Sequence, residues 1–543
     1  MKILTIVPAR GGSKGIPKKN VRLINNKPLI SYSINTAKSS SFDLDVVVST
    51  DDDEIIRISE KYGAVALKRP SELASDNVTL DPVIYHTFKT IEDSKDINYD
   101  YVITMQPTSP LLSTRILDEA IEHVIENDLD TLISGVNTPH LSWTIKNGKT
   151  IPNYEKRLNR QQLPKHLQET GAFVITKRNY ITENSRFGNK LEIFELPSRE
   201  AIDIDTPQDW WIAEKELKKK MILIRVEGYA AIGLGHIYRG LLLANHFIDH
   251  EIRFIISEKS DIGIEKIKKS HFNYDVIKHD NELKKLIQKY DCDILINDML
   301  DTTAEYMELC SDQDVRTINF EDLGEGAKYA DAVINDLYEK SNHFENHFWG
   351  SDYYCIRDEF LIANPSEFNQ EVEEVLILFG GTDPSNLTNK LFECLKYMPK
   401  EIHFTFILGL GYKDTQSLLN KVNKSQYNVD IVTDVKLMTE YMSKADIAIS
   451  SQGRTMLELA SMLVPTILLA QNERETTHEF GHLENGFINL GLGHEVEINT
   501  IKETLLWLIK SPQIRKQMQN QMKKKNLKKG LKRVIDIILD ENL

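Results

Sequence analysis

Short apolar runs that alternate with longer stretches of helical character constrain the fold of this chain more than any other feature. Strands that alternate with helices indicate α/β domains with mostly parallel sheets. At roughly 150 residues per domain, a chain of 543 residues is expected to contain about three or four domains. The apolar runs occupy residues 3–9, 45–49, 101–105, 131–135, 222–226, 253–257, 294–298, 332–336, 375–379, 404–409, 445–451 and 465–470.

The pattern is interrupted near residue 220, where the chain resembles a second protein start. A charged helix (WWIAEKELKKK) ends at Lys220, and MILIRVEG then begins a new apolar strand at Met221. We therefore predict a fusion with its main boundary between residues 220 and 221. A polar stretch at 363–374 separates two further α/β series, which predicts domains over 1–220, 221–365 and 366–543. The last two are expected to be Rossmann-like and to face a cleft.

Composition excludes several classes of protein. The net charge of −15 argues against a general nucleic-acid binder. The four cysteines contain no CxxC pair, so neither a disulfide framework nor a zinc site is indicated. No apolar run approaches the roughly 18 residues of a membrane span, and the polar start does not fit a secretory signal. We therefore expect a cytoplasmic protein, with the basic tail at 515–533 more typical of a solvated helix than of a polyanion or membrane contact.

The first chemical signal is the loop VPARGGSKGIPKKN at residues 7–20. It follows a strand, and its glycines allow backbone N–H groups to approach phosphate oxygens while its cations neutralise them. The spacing matches neither a Walker A loop nor the dinucleotide fingerprint. The alternative is a basic turn after an edge strand. The candidate phosphate-binding residues of this loop are Arg10, Gly11, Gly12, Ser13, Lys14 and Lys19.

The second signal is AIDIDTPQDW at residues 201–210. In a strand, Asp203 and Asp205 would project from the same face, and two close carboxylates repel unless a cation lies between them. Mg²⁺ binds one or two carboxylates together with substrate phosphate oxygens. The alternative is an exposed strand with polar alternation. Beside a phosphate-binding loop, the pair predicts a Mg²⁺ site.

Together these segments resemble the CMP-N-acylneuraminate (CMP-sialic acid) synthetase family. The shared segments also include VVVSTDDDEI, KRPSELASDNVT, QPTSPLL, NRQQLP and TGAFVIT, in order across residues 1–215. The resemblance implies transfer of CMP from CTP to the anomeric hydroxyl of a nine-carbon α-keto sugar acid. It also implies catalytic roles for Arg10, Lys19 and the two aspartates, with Asn20 and Thr79 on the nucleotide and Gln106 and Arg160 on the sugar acid. The rival interpretation is a nucleotidyltransferase acting on another deoxy-sugar acid.

In the second half, AIGLGHIYRGLLLA at residues 231–244 places small residues before a helix that contains His236 and Arg239. A helix N-terminus favours phosphate, and His236 near that end would suit a general base. The alternative is a histidine that only hydrogen-bonds a loop. LFGGTDPSN at 378–386 is another strand-to-glycine turn, and SSQGRTMLELASMLVP at 450–465 precedes a further strand.

These segments resemble the GT-B group that includes UDP-sugar hydrolases of pseudaminic acid biosynthesis, spore-coat polysaccharide proteins and, more distantly, the lipid II N-acetylglucosaminyltransferase. The resemblance implies that His236 activates water. It implies that the diphosphate lies against Gly380, Gly381 and Thr382, the uridine ribose against Glu458 and the sugar beside Asn472. The hydrolases usually carry a tyrosine shortly after the third-strand aspartate, where this chain has Asp298, Met299 and Leu300. The expected activity is hydrolysis of a UDP-amino-sugar, and glycosyl transfer and binding without catalysis remain open as alternatives.

The fold class expected from both resemblances is α/β, with an N-terminal Rossmann-like nucleotidyltransferase domain followed by a GT-B-like pair. The expected function is bifunctional nonulosonic acid biosynthesis, and the pairing points to pseudaminic or legionaminic acid. The resemblance further implies a homodimer through residues near 139–165 of the first domain.

Overall fold

The computed structural model describes residues 1–13, 15–75, 77–229, 232–311, 315–339, 344–409, 411–433 and 435–540. The chain divides into two compact units, Met1–Lys219 and Lys220–Leu543. No helix among these described residues is both long and apolar enough to cross a bilayer.

The first unit is built around one seven-stranded sheet in the order β11-β7-β10-β6-β1-β4-β5. Only β10 runs antiparallel to its neighbours in this sheet. The strands are β1 Ile3–Pro8, β2 Leu23–Ile24, β3 Lys27–Pro28, β4 Leu44–Thr50, β5 Val65–Lys68, β6 Tyr101–Thr104, β7 Thr131–Asn137, β8 Trp143–Lys146, β9 Lys149–Pro152, β10 Leu167–Lys177 and β11 Leu191–Glu195. The helices are α1 Leu29–Lys38, α2 Asp53–Lys61, α3 Leu80–Lys95, α4 Thr114–Glu126 and α5 Pro207–Leu217.

The second unit begins with a parallel sheet in the order β14-β13-β12-β15-β16-β17-β18. We call this sheet and its helices the first lobe. Its strands are β12 Met221–Val226, β13 Glu251–Ser257, β14 Asn273–Ile277, β15 Ile294–Asp298, β16 Arg316–Phe320, β17 Ala332–Asn335 and β18 His347–Trp349. Its helices are α6 Gly235–His246, α7 Asp261–Lys269, α8 Glu282–Tyr290, α9 Ala304–Cys310 and α10 Asp358–Ile362.

A second parallel sheet follows in the order β21-β20-β19-β22-β23-β24. We call this sheet and its helices the second lobe. Its strands are β19 Glu374–Leu378, β20 His403–Leu408, β21 Val429–Thr433, β22 Ile447–Ser450, β23 Thr466–Ala470 and β24 Phe487–Leu492. The remaining helices are α11 Leu387–Cys394, α12 Thr415–Lys424, α13 Thr439–Met442, α14 Thr455–Ser461, α15 Glu473–Thr476, α16 Ile498–Ile509, α17 Pro512–Lys523 and α18 Gly530–Leu539. The predicted α/β class with a Rossmann-type pair of sheets is confirmed.

Two local expectations are wrong. Residues 202–205 form no strand, because Thr206 and Pro207 begin α5 directly after them through a capping box with Asp209. The basic segment at 515–533 is not a solvated helix throughout, because Met518, Met522 and Leu531 within it are buried. The apolar face of α18 packs in the core of the first lobe through Leu531, Val534, Ile537 and Ile538. A helix with one continuous apolar face must bury it, and here it is buried against the first sheet.

We predict that α18 contributes substantially to the stability of the second unit. Ile538 is fully buried, so Ile538→Ala should lower the free energy of unfolding by about 2–4 kcal/mol in urea titrations. Lys532→Ala on the exposed face of the same helix is the control and should change it by less than about 0.5 kcal/mol. Equal effects of the two substitutions would show that the helix is not part of the core.

Candidate active sites

The glycine-rich loop of the first unit is held against the ends of β1 and β4. The Gly11 N–H donates to Asp51 Oδ1 at 3.1 Å, and Asn20 Nδ2 donates to the Arg10 carbonyl at 3.0 Å. Asp52 caps α2 by accepting from the N–H groups of Glu54 and Ile55. The loop therefore lies at the carboxyl end of parallel strands, where α/β sheets bind their ligands.

Lys19 connects this loop to the aspartate segment, although 185 residues separate it from Ile204 in sequence. Its Nζ donates to the Ile204 carbonyl at 2.6 Å and lies 3.3 Å from Asp205 Oδ1. A side chain at Gly15 would place its Cβ 2.5 Å from the Asp205 carbonyl oxygen, so this position tolerates only glycine. The fold thus brings the cationic loop and the two aspartates together.

Asp203 carries a largely enclosed carboxylate. Burial raises its pKa, and the charge of Asp205 adds to this effect, while the Thr108 side chain and the charge of Lys19 oppose it. Its Oδ1 is buried and has no hydrogen-bond partner in the part of the chain that the structure describes. A Cβ at Gly171 would lie 3.0 Å from Asp203 Oδ2 and 3.2 Å from the Gln106 amide carbon, so Gln106 is a neighbour of this carboxylate.

This donor set fits Mg²⁺. An enclosed carboxylate oxygen without a partner is a costly group that a divalent cation would satisfy. Within the described parts of the chain, no group of three or more His, Cys, Asp or Glu side chains is arranged so that it could hold a metal ion. Two carboxylates alone leave most coordination positions to water and phosphate, which is the usual arrangement for Mg²⁺.

The other residues predicted for this site are more dispersed. Thr79, before α3, and Arg160, in a 3₁₀ turn, are exposed, and among the described residues no hydrogen bond or ion pair joins either to Lys19 or the aspartates. Gly12 is exposed and Ser13 is half-buried in the loop. Lys14 lies outside the described residues.

Arg69 is a basic residue of this site that the sequence analysis left without a role. It directly follows β5, is almost fully buried, and lies 3.8 Å from Asp51 Oδ1. Burial lowers the pKa of its guanidinium, with Arg10 adding to and Asp51 opposing the effect. A buried arginine at the carboxyl end of a strand is the signal that could have identified it.

In the second unit, His236 lies at the start of α6 and contacts the last residue of β15. His236 Nδ1 is 2.5 Å from Asp298 Oδ1, and Arg239 Nε donates to Asp298 Oδ2 at 2.6 Å. Burial alone would raise the pKa of Asp298, but the charges of Arg239 and His236 lower it. A carboxylate that orients a histidine at a helix N-terminus is suited to general acid–base chemistry.

The glycine turn of the second lobe faces the start of α6. Gly380 adopts φ +75°, and a Cβ at Gly381 would be 3.9 Å from the Leu234 backbone nitrogen. Thr382 follows in the same half-buried turn, and Asp383 caps α11 by accepting from the N–H groups of Leu387 and Thr388 at 2.9 and 2.8 Å. The turn therefore lies next to the helix that carries His236.

The polar groups of Glu458 and Asn472 are already engaged in hydrogen bonds within the protein. Glu458 Oε1 accepts from Arg357 Nε at 2.9 Å, and its side chain is 13% exposed. Asn472 is exposed and caps α15 by accepting from the Glu475 N–H at 3.0 Å. Their assignment to the ribose and the sugar stays a prediction.

Two arginines of the second lobe reach residues of the first lobe, and the sequence analysis assigned neither of them. Arg474 donates to both carboxylate oxygens of Asp301 at 2.8 and 3.0 Å and to the Tyr338 hydroxyl at 2.8 Å. Arg454 Nη1 donates to Glu321 Oε1 at 2.9 Å. No local motif marks such residues, because their partners belong to distant strands.

Glu475 gives the second unit a distinctive pH dependence. Burial raises the pKa of its carboxyl to about 7, against hydrogen bonds from the backbone of Gln471 and Gln452. The folded state holds this proton more tightly, so its contribution to stability is full below about pH 4.5 and is lost as pH rises through about 7. We predict that the free energy of unfolding of Glu475→Gln, taken relative to that of wild type, rises by about 2–3 kcal/mol from pH 4.5 to pH 8. Exposed Glu473→Gln should show no such trend in pH-dependent urea titrations; a matching trend would contradict the prediction.

Comparison with known proteins divides the chain in the same way. Residues 4–221 match the family model described as Cytidylyltransferase, and residues 375–535 match the Glycosyltransferase family 28 C-terminal domain. The pseudaminic acid cytidylyltransferase of Campylobacter jejuni is 36% identical over 38% of this chain and 93% of its own length. The CMP-N,N'-diacetyllegionaminic acid synthase of the same species is 36% identical over 39% and 94%. The crystal structure of Acinetobacter baumannii MurG covers 59% of this chain and 99% of that chain at 11% identity and a TM-score of 0.45.

Proposed function

Because the chain belongs to the cytidylyltransferase family through its first unit, we propose that this unit transfers CMP from CTP to a nine-carbon α-keto sugar acid. The relatives named for pseudaminic and legionaminic acid support this class of substrate. The observation that carries the proposal is the position of Lys19 Nζ, between the Ile204 carbonyl and the Asp205 carboxylate at the end of the glycine-rich loop.

In this reaction the anomeric hydroxyl oxygen of the sugar acid attacks the α-phosphorus in line. A new P–O bond forms, the bond to the β-phosphate oxygen breaks, and pyrophosphate leaves while the hydroxyl proton is released. Positioning and charge neutralisation account for catalysis of this kind, so no covalent intermediate with the protein is required. The loop N–H groups, Arg10 and Lys19 would orient the triphosphate, with Arg69 adding positive charge from beneath.

Asp203 and Asp205 are the residues that would hold Mg²⁺. When bound, the ion neutralises charge on the triphosphate and the departing pyrophosphate. Lys19 would keep Asp205 next to the loop, and the enclosure around Gly171 would hold Asp203 in one orientation.

We further propose that the second unit acts on a UDP-sugar with His236 as general base. An imidazole whose Nδ1 is engaged by Asp298 can accept a proton at Nε2 from water or from an acceptor hydroxyl. The deprotonated oxygen then forms a bond to the anomeric carbon of the sugar, and the bond to UDP breaks. The match to a glycosyltransferase domain supports transfer, and the resemblance of the GLGH segment supports hydrolysis.

Joining the two activities would combine an early and a late step of nonulosonic acid biosynthesis in one chain. A homodimer through the first unit is part of this proposal. The hairpin β8–β9 exposes apolar side chains that a second copy would cover, with Trp143 at 53%, Ile145 at 74% and Ile151 at 43% exposure.

The test uses the full chain with Mg²⁺ and CTP and follows pyrophosphate release with neuraminic, legionaminic and pseudaminic acids in turn. Release with at least one of these acids is expected, and none with any of them would contradict the first activity. A parallel set of UDP-amino-sugars is followed for UDP. Release without acceptor indicates hydrolysis, release only with acceptor indicates transfer, and binding without release contradicts catalysis by the second unit.

A further inference from the structure

Two guanidinium groups from different lobes of the second unit meet at one carboxylate oxygen. Glu321 Oε1 accepts from Arg239 Nη1 at 2.5 Å and from Arg454 Nη1 at 2.9 Å. Arg239 lies on α6, one turn from His236, whereas Arg454 lies between β22 and α14 of the second lobe. The surroundings of His236 are therefore completed by a residue from the opposite lobe.

The charges of this cluster do not balance within the first lobe. Its buried carboxylates are those of Asp298, Glu321 and Asp336. The first lobe pairs these carboxylates with the guanidinium of Arg239. Arg454 of the second lobe supplies a second guanidinium, whose Nη1 lies 3.0 Å from Asp336 Oδ2. Removing one partner from a buried ion pair leaves an uncompensated charge that is costly in a low dielectric.

The geometry of Arg454 is tightly defined. Its guanidinium carbon lies 4.7 Å from the centre of the Tyr354 ring, and the Tyr354 hydroxyl donates to its carbonyl at 3.1 Å. Its Cδ would be 3.5 Å from a Cβ at Gly235, the residue before His236. Glu321 adopts φ +53°, a left-handed conformation that is unfavourable for a residue other than glycine. Strain of this kind is found where the surrounding structure requires one orientation.

We infer that Arg454 is a positioning residue that offsets the carboxylate charge beside His236 when the two lobes are together, so that His236 can serve as a general base. This inference rests on the proposed role of His236. The charged groups that face His236 are Asp298 at the end of β15, Arg239 on its own helix and Glu321 after β16. Asp336 after β17 joins the cluster through Arg239, with Oδ1 3.6 Å from Arg239 Nη1. Without Arg454 the sum of these charges becomes more negative, which stabilises the protonated imidazole.

The primary test is an NMR titration of the full chain with ¹³C-labelled histidine, in which His236→Gln assigns the His236 signal. Arg454→Met should raise the titration midpoint of His236 by about one pH unit or more. Arg454→Lys keeps the charge and should shift it by less than half as much. The double variant Arg454→Met/Glu321→Gln removes one charge of each sign and should return the midpoint toward that of wild type.

Arg474→Met is the matched control. Arg474 also joins the two lobes, but it contacts the backbone oxygen of Glu321 rather than the carboxylate. It should leave the His236 midpoint within about 0.3 units of wild type. An unchanged midpoint in Arg454→Met, or an equal shift in Arg474→Met, would overturn the inference.

The pH profile of UDP release gives a second readout. Its acid limb should move to higher pH in Arg454→Met by the same amount as the NMR midpoint. If wild type releases no UDP from any UDP-sugar, the proposed function fails, while the NMR titration still decides whether Arg454 controls His236. If the midpoint shifts but the acid limb does not, the claim that Arg454 maintains a general base is overturned.

Discussion

Replacing Asp203 by asparagine is expected to abolish CTP-dependent pyrophosphate release, with a loss in kcat of about 10³-fold or more. The change keeps the size and most of the packing of the side chain but removes its negative charge. Asp203 Oδ1 is buried and has no hydrogen-bond partner among the described residues, so a cation would satisfy it. Steady-state assays at saturating CTP and a range of Mg²⁺ concentrations measure the effect.

Asp128→Asn is the matched control for this prediction. Asp128 is an exposed aspartate of the same unit that pairs with Lys177 at 2.8 Å. The same chemical substitution there should leave pyrophosphate release within about twofold of wild type, because exposed ion pairs contribute little. If Asp203→Asn retained near wild-type release, the proposed metal role of this residue would be wrong. UDP release by the second unit should not change in either variant.

Replacing His236 by glutamine should reduce UDP release by about 10²- to 10⁴-fold, the range that a positioned general base contributes. Glutamine can still hydrogen-bond to Asp298, so the buried carboxylate and Arg239 keep a polar neighbour. The substitution should leave CTP-dependent pyrophosphate release unchanged, because the two units are separate compact bodies. UDP release and pyrophosphate release are measured on the same preparation.

His246→Gln at the other end of α6 is the control for the second prediction. His246 Nδ1 lies 3.0 Å from the Leu242 carbonyl oxygen, and its Nε2 lies 3.4 Å from Asp358, away from the α6 N-terminus. It should retain UDP release within about twofold, since the change affects only partly exposed local contacts. A His236→Gln variant as active as this control would exclude a general-base role.

Local sequence patterns were informative where the structure depends on neighbours in the chain. Apolar runs and their turns indicated the α/β class because strand and helix periodicities are local properties. The glycine-rich loop and the GLGH helix start were recognisable for the same reason. The alternation of aspartates at 203–205 predicts a strand, but the structure has none there. Thr206 and Pro207 start a helix directly after this segment.

The candidate sites could be predicted only in part. The family resemblance assigns Glu458 to the uridine ribose, and this stays a prediction, while the structure pairs its carboxylate with Arg357. The sequence indicates no role for Arg69 or Arg454, because the interaction that each makes depends on a partner that follows another strand. Their partners, Asp51 and Glu321, could not be chosen from spacing alone, as the chain contains 81 acidic residues.

The sequence by itself determined the class of fold, the change of character near residue 220 and the residue types able to bind phosphate or a metal. Only the tertiary structure decided that Lys19 meets Asp205, that α18 returns to the first lobe and that Arg454 completes the surroundings of His236. The physical reason is that periodicity and turn chemistry act over a few residues, whereas these contacts depend on strand order and on which faces pack together. Burial then gives the contacts their energetic weight, because charges removed from water must be paired within the fold.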